Sequence, residues 1–329
     1  MAVSGVIVGG REVLAKRVEN ALSVGVPLIG SGFAIARLVQ GEATWIDLSA
    51  FVLFYSFVGI GVGLGLHRFF SHKSFAAHPI FASILGAAGS MAFQGNIIRW
   101  VADHRRHHAH TDRDGDLHSP VVDPWGAHAE GVRGWWHAHM GWMFDRTATD
   151  ISVYGRGLEN DPIVAFFTRT YFFWLALSLA LPALYGYVLG GPDAVLGAVL
   201  FGGFLRISVL HQVIWSVNSF GHMVGEQNFN NGDDSTNNRL LALITFGDGW
   251  HNNHHRYPRS YRHGLKPGEI DVNGFIVDSF ERLGVVKDVV RIPPERIARD
   301  LRESSVPPLA VGPAGALAIH EMGDERLAG

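Results

Sequence analysis

Four stretches of this chain are long and apolar enough to cross a bilayer, and they leave it few ways to fold. Residues 21–40 are apolar except for Arg37, and 46–66 hold one charge, Asp47. Residues 164–190 are apolar apart from Arg169, and 194–217 apart from Arg206. Twenty-one helical residues rise about 31 Å, close to the thickness of a hydrocarbon core. The short links GEAT at 41–44 and GGPD at 190–193 pair the stretches into two transmembrane hairpins. With 47% hydrophobic and 17% charged residues, the chain suits an integral membrane protein with a large aqueous part.

A fifth apolar stretch, 79–98, is expected to lie at the interface or on the cytosolic cap. Were it to span, the histidines on either side of it would face opposite compartments. Orientation follows the basic residues. Neither hairpin link contains Lys or Arg, whereas the N-terminus, residues 67–163 and the part after 222 are rich in Arg. These three segments are therefore expected in the cytoplasm. No cleavable signal peptide is expected: residues 1–20 read as a short polar cytosolic segment, 21–302 as one domain and 303–329 as a loosely ordered tail. The fold class is an all-α integral membrane protein, four transmembrane helices under a helical cytosolic cap. Most of the chain's histidines fall in this cap, where they are expected to form a histidine-rich dimetal site. The formal net charge of −3 gives no sign of nucleic-acid binding. With no cysteine, disulfides, iron–sulfur clusters and thiolate-bound zinc are excluded, so any metal must take nitrogen and oxygen ligands.

The eighteen histidines supply those ligands. HRFFSH holds His67 and His72; DHRRHHAH holds His104, His107 and His108; GWHNNHHRYP holds His251, His254 and His255; NSFGH places His222 four residues after Asn218. Residues three and four apart lie on one helix face, so each triplet is expected to aim two or three imidazoles at one place. His67 and His72 stand about 140° apart on a straight helix. That pair needs a helix end or local unwinding, which Gly61, Gly63 and Gly65 permit. Nine imidazoles exceed the needs of one metal. Two metals with four or five ligands each account for them, one completed by water or Asn218. An all-nitrogen site with an open position suits iron and oxygen activation better than hydrolysis. Asp103 is a candidate to orient an imidazole through a hydrogen bond. His78, His110, His118, His128, His137, His139, His211, His263 and His320 are read as structural.

In this order and spacing the four motifs resemble the membrane fatty-acyl desaturases of the stearoyl-CoA desaturase type, over roughly residues 45–290. AFQ at 92–94 and the Trp100–Asp103–His104 setting extend the resemblance. It implies a bacterial-type member without a cytochrome b5 domain, in the bacterial inner membrane. Two non-haem irons would use O2 and two electrons to place a cis double bond, most often Δ9, in a fatty acyl chain. The nine histidines would be the ligands, with Asn218 holding a water. Zinc could replace iron as a non-native ion. Gln94, Trp100 and Trp215 would line a bent acyl tunnel, closed at its far end near Tyr55 and Gly59, where glycine leaves room. Arg146 would meet the headgroup, whereas Gly95, Ala102 and Thr147 replace the polar contacts that animal relatives make to coenzyme A. The substrate could thus be acyl-CoA, an acyl carrier protein thioester or an acyl lipid. Electrons would come from a separate ferredoxin- or cytochrome b5-like donor with its reductase. The Arg-rich face, including Arg99, Arg105 and Arg106, is a candidate docking surface.

Two other outcomes bear on the same residues. A related diiron hydroxylase, acetylenase or decarboxylase would use the same oxidant. A metal-binding membrane transporter would instead place ligands near the bilayer midplane. The histidines here lie at span ends and beyond, which disfavours that reading.

Overall fold

The computed structural model describes residues 3–305, so most of the expected tail, with His320, lies outside the described residues. It contains two compact units divided at residue 292. The second, in its described part, is the helix Pro294–Ser305. The first holds everything that bears on function.

In chain order, β1 (Val6–Val8) leads into α1 (Gly10–Val39), and α2 is Trp45–Ser71. β2 (Ala76–Ala77), α3 (Pro79–Ser90), α4 (Ile97–His110), α5 (Gly131–His139) and β3 (Thr147–Thr149) follow. Next come α6 (Pro162–Arg169), α7 (Tyr171–Gly190) and α8 (Pro192–His222). α9 (Arg239–Ile244), α10 (His251–Arg256), α11 (Val272–Arg282) and β4 (Val286–Lys287) complete the unit. The strands form two small antiparallel pairs, β1 with β3 and β2 with β4.

Four helices, α1, α2, α7 and α8, are long and apolar enough to span a membrane. Their surfaces say what surrounds them. α1 exposes Leu22, Ile29 and Phe33, and α7 exposes Phe172, Phe173, Leu184 and Val188. Such continuous apolar faces are compatible with lipid rather than water. α2 and α8 form the inner pair, packing Ala50 and Phe54 against Gly202. α2 starts with a capping box: Thr44 accepts from the Asp47 N–H, and Asp47 accepts from the Thr44 N–H at 2.9 Å.

The boundaries differ from the sequence reading in two places. α1 begins at Gly10, because Val13 and Lys16 are already buried on its inner face. The third apolar stretch breaks after Arg169: Asp161 caps and Pro162 opens the short helix α6, and the spanning helix starts only at Tyr171. Stretch 79–98 is not a span. Its helix stops at Ser90, and a turn with Phe93 and Gly95 at positive φ leads to α4, which Asn96 caps.

Candidate metal centre

The lower part of α2, Gly61–Ser71, is π-helical, with the His72 N–H bonded to the His67 carbonyl at 3.2 Å. Closing bonds five residues apart puts residues i and i+5 on one face. This supplies the unwinding that the His67–His72 spacing requires, and the two ring centres are 5.1 Å apart. Gly63 has a second use. A Cβ there would lie 2.7 Å from Asp248 Oδ2, so its absence admits the carboxylate that reaches His67 Nδ1 at 3.3 Å.

The nine imidazoles form two adjoining groups. His67, His72, His104, His108 and His254 make the first; His107, His222, His251 and His255 make the second. Each HxxHH triplet serves both. The i, i+4 pair of α4, His104 and His108, belongs to the five-membered group, and His107 crosses to the other. In α10 the roles reverse: His251 and His255 belong to the four-membered group and His254 crosses over. Two imidazoles of each triplet thus aim at one place, the lower of the two numbers expected, and the third crosses because positions i+3 and i+4 diverge by about 100° around a helix.

Within each group the Nε2 atoms converge. His72 and His104 are 2.7 Å apart, His108 and His254 2.9 Å, and His67 and His254 3.0 Å. His222 and His251 are 3.0 Å apart, and His107 and His255 3.4 Å. Two nitrogens bound to one ion at about 2.0–2.1 Å, at angles of 90–109°, stand about 2.9–3.4 Å from each other. Four of the five separations fall in this range, and His72–His104 is about 0.2 Å shorter, so the donors stand close to ligand spacing.

Charge leads to the same conclusion. Asp116 holds His107 Nδ1 at 3.0 Å, Asp112 holds His222 Nδ1 at 2.9 Å and Asp233 holds His255 Nδ1 at 3.0 Å. With the proton on Nδ1, each Nε2 points a lone pair inward, toward other lone pairs, an arrangement that a cation resolves. Burial, reinforced by neighbouring imidazoles, holds His72, His104, His108, His251, His254 and His255 well below the ordinary imidazole pKa, in the neutral form that ligates. Burial alone would raise Asp116 and Asp248, but their histidine partners outweigh it and hold both carboxyls below the usual range. The residues present fit two metal ions.

These directions set a pH dependence. Below about pH 6.5 an unfolded chain takes up protons that the buried folded imidazoles refuse. Stability of the apoprotein should therefore fall as pH drops from 7 toward 5. Loss of the carboxylates' contribution adds to this below about pH 4. Thermal melting in detergent at a series of pH values checks this; a melting temperature that rises on acidification would contradict it.

Asp103, the carboxylate singled out from sequence, is not one of the four found on Nδ1 atoms. It lines a cavity of about 90 Å³ with Lys16, Glu19 and Arg99. The groups that do hold imidazoles, Asp112, Asp116, Asp233 and Asp248, were missed. Their signal was present, since all lie within a few residues of a motif or in the GDD turn. Two histidines read as structural also pack on the cluster: His118 lies 4.2 Å from His107 and His263 lies 4.5 Å from His254, ring centre to ring centre.

The 90 Å³ cavity reaches the centre. Gln94, Trp100, Trp215 and Asn218 line it, and the Trp100 indole N–H donates to Gln94 Oε1 at 3.1 Å. Trp100, His104, Ile214 and Asn218 also wall a smaller cavity of about 40 Å³, where His67 and His107 of the two groups meet. Tyr55 and Gly59 line neither cavity. Tyr55 donates to the Ile244 carbonyl at 2.7 Å, and the room beside Gly59 is filled: a Cβ there would meet the Phe246 ring at 2.7 Å. Arg146 is exposed and lies away from the cavity lining, while its carbonyl accepts from the Gly9 N–H. On another side, His72, His108 and His255 border a cleft of about 380 Å³ with Arg105 and Arg113.

Comparison with known proteins agrees with this geometry. The sequence profile of the fatty acid desaturase family matches residues 43–267. The chain is 37% identical over 268 residues to a hex-5-enoyl-[acyl-carrier protein] acetylenase of Moorena producens (strain JHB), covering 80% of this chain and 83% of the relative. It is 36% identical over 278 residues to an sn-2 palmitoyl-lipid 9-desaturase of Nostoc sp. (strain 36), covering 83% and 91%. It is 33% identical over 259 residues to an sn-1 stearoyl-lipid 9-desaturase of Anabaena variabilis, covering 78% and 88%. Two convergent imidazole groups at the end of four apolar helices, reached by a narrow cavity, belong to a member of the fatty acid desaturase family, an oxidoreductase acting on fatty acyl chains.

Proposed function

We propose that this protein introduces a cis double bond, at Δ9, into a long fatty acyl chain, using O2 at a diiron centre held by the nine histidines. The observation that carries this is the narrow cavity that meets both imidazole groups between His67 and His107. Two iron ions bound there would supply oxygen activation and hydrogen abstraction. The protein's own residues do the rest. A methylene chain has no polar handle, so a narrow apolar passage must measure position along it. Trp100, fixed by Gln94, forms the wall beside the centre together with Ile214 and Val62. Asn218 faces both cavities and is the group to hold a water near the four-imidazole position.

The mouth supports an acyl lipid as substrate. Its lining sets Lys16 and Arg99 against Glu19 and Asp103, and Lys16 is further paired with Asp145 at 2.9 Å. Such a mouth has no excess positive charge for the phosphates of coenzyme A, and two of the relatives above are named for acyl lipids. Electrons are read as entering at the cleft that borders His72, His108 and His255, where Arg105 and Arg113 favour an acidic donor protein with its reductase. The basic-residue distribution supports a cytoplasmic centre, and the membrane is read as a bacterial inner membrane.

Expression in a host fed deuterated saturated fatty acids tests the reaction. A product lighter by two deuteriums, with its double bond located by mass spectrometry at Δ9, is expected in the lipid fraction. A triple bond instead would favour acetylenase chemistry, the reading suggested by the Moorena producens relative. Hydroxylated or shortened chains would contradict both.

The expectation of an open tunnel end at Gly59 is replaced by the reading that Phe246 closes the passage there. Phe246 occupies the notch at Gly59 and packs 5.9 Å from the Tyr55 ring. Phe246→Ala should open that volume and shift preference several-fold toward longer chains in a mixed-substrate competition. An unchanged profile in a stable, active variant would put the end of the passage elsewhere.

A further inference from the structure

The two imidazole groups are not backed alike. In the four-membered group three rings carry a carboxylate on Nδ1: Asp116, Asp112 and Asp233, at 2.9–3.0 Å. The other hydrogen bonds described for these carboxylates come from neutral groups. Asp112 accepts from Ser119 Oγ and the Asp234 N–H, Asp116 from the Asp112 and His118 N–H groups, and Asp233 from the Ser235 N–H. In the five-membered group the carboxylate on His67 is Asp248, at the longer distance of 3.3 Å. Asp248 is also bound by Arg68 at 3.0 Å, and Arg68 holds Asp271 at 2.9 Å. The supporting groups of the four-membered position thus carry three formal negative charges. Those of the five-membered position carry one.

We propose that the two metal positions are unequal by construction: the four-imidazole position, backed by Asp112, Asp116 and Asp233, takes a divalent ion first and holds it more tightly. This rests on the reading of the histidines as metal ligands. A carboxylate on Nδ1 fixes the ring and strengthens its donor nitrogen, and buried negative charge draws a divalent cation. At the other position Arg68 offsets the carboxylate that would do this. Ligand number acts in the same direction for zinc, which prefers four donors. Asp112, Asp116 and Asp233 are positioning residues, acting through His222, His107 and His255.

Titration of detergent-purified apoprotein with Zn(II), followed by calorimetry, tests this without reference to turnover. Two steps are expected, with dissociation constants at least tenfold apart. Asp233→Asn, in a loop outside the helices, should weaken the tighter step about ten- to hundredfold and leave the weaker one in place. Asp233→Glu keeps the charge and should retain most of the tight step. Asp248→Asn should affect the weaker step alone. Two ions bound with a single constant would overturn the proposal, as would loss of the tighter step in Asp248→Asn rather than Asp233→Asn. A chain that binds no divalent ion at all would instead overturn the metal-centre reading, a separate result.

Discussion

Replacing His108 or His255 by alanine is expected to reduce product formation to background, a fall of at least a thousandfold, while the protein still inserts in the membrane. Each ring belongs to a different imidazole group, and the two ring centres are 4.8 Å apart. Loss of either would remove a donor from one position and leave a gap beside the other. Neither lies in a spanning helix, so the apolar segments that direct insertion are untouched. His128→Ala is the control. His128 is exposed, and its described role is a backbone bridge to Val122, so activity should stay within about twofold of the parent. Similar losses in all three variants would mean that the clustered histidines have no special role. Acyl product analysed by gas chromatography, with a membrane-fraction immunoblot for insertion, separates these outcomes.

Arg68→Met should give the largest loss of stability. The Arg68 guanidinium is fully buried and donates to Asp271 at 2.9 Å, to Asp248 at 3.0 Å and to the Tyr261 carbonyl at 2.7 Å. Methionine matches the apolar stem but leaves two buried carboxylates without their cation. Breaking a buried ion pair from one side costs about 3–5 kcal/mol. Asp271 keeps its hydrogen bonds from the His263 and Gly274 N–H groups, which places the loss toward the lower end of that range. A fall in melting temperature on the order of 10 °C is expected for detergent-purified protein. Adding Asp271→Asn to Arg68→Met should recover part of it, because one unpaired charge is removed. A melting temperature within about 2 °C of the parent would show that the Arg68 network does not hold α2 to the cap.

The spans were legible because lipid-facing helices must be apolar along their whole length, and hydropathy records that directly. Their ends were less so. The extension of α1 back to Gly10 depends on Lys16 reaching Asp145, 129 residues away, a contact with no local signature. The break after Arg169 had local signals, Thr170 inside the apolar run and Asp161–Pro162 just ahead of it. At the centre, the spacing of His67 and His72 demanded an unwound helix, and a π-helical segment is present. The same helical arithmetic, applied to each HxxHH as a unit, missed that His107 and His254 cross between groups. The Nδ1 carboxylates were missed for a physical reason: Asp233 and Asp112 arrive on loops that sequence periodicity does not describe. Phe246 was equally hidden. It sits at φ 60°, in the turn between α9 and α10, a conformation rare for a bulky residue.

The central claim is that nine imidazoles hold two metal ions on which turnover depends. Its most direct test is the metal-to-protein ratio of protein purified in mild detergent, set against the activity of the same preparation. The expected result is close to two ions per chain, iron in active samples, with activity rising in proportion to bound iron. Zinc-filled samples should be folded and inactive. Active protein carrying no metal, or one ion per chain at full activity, would contradict it.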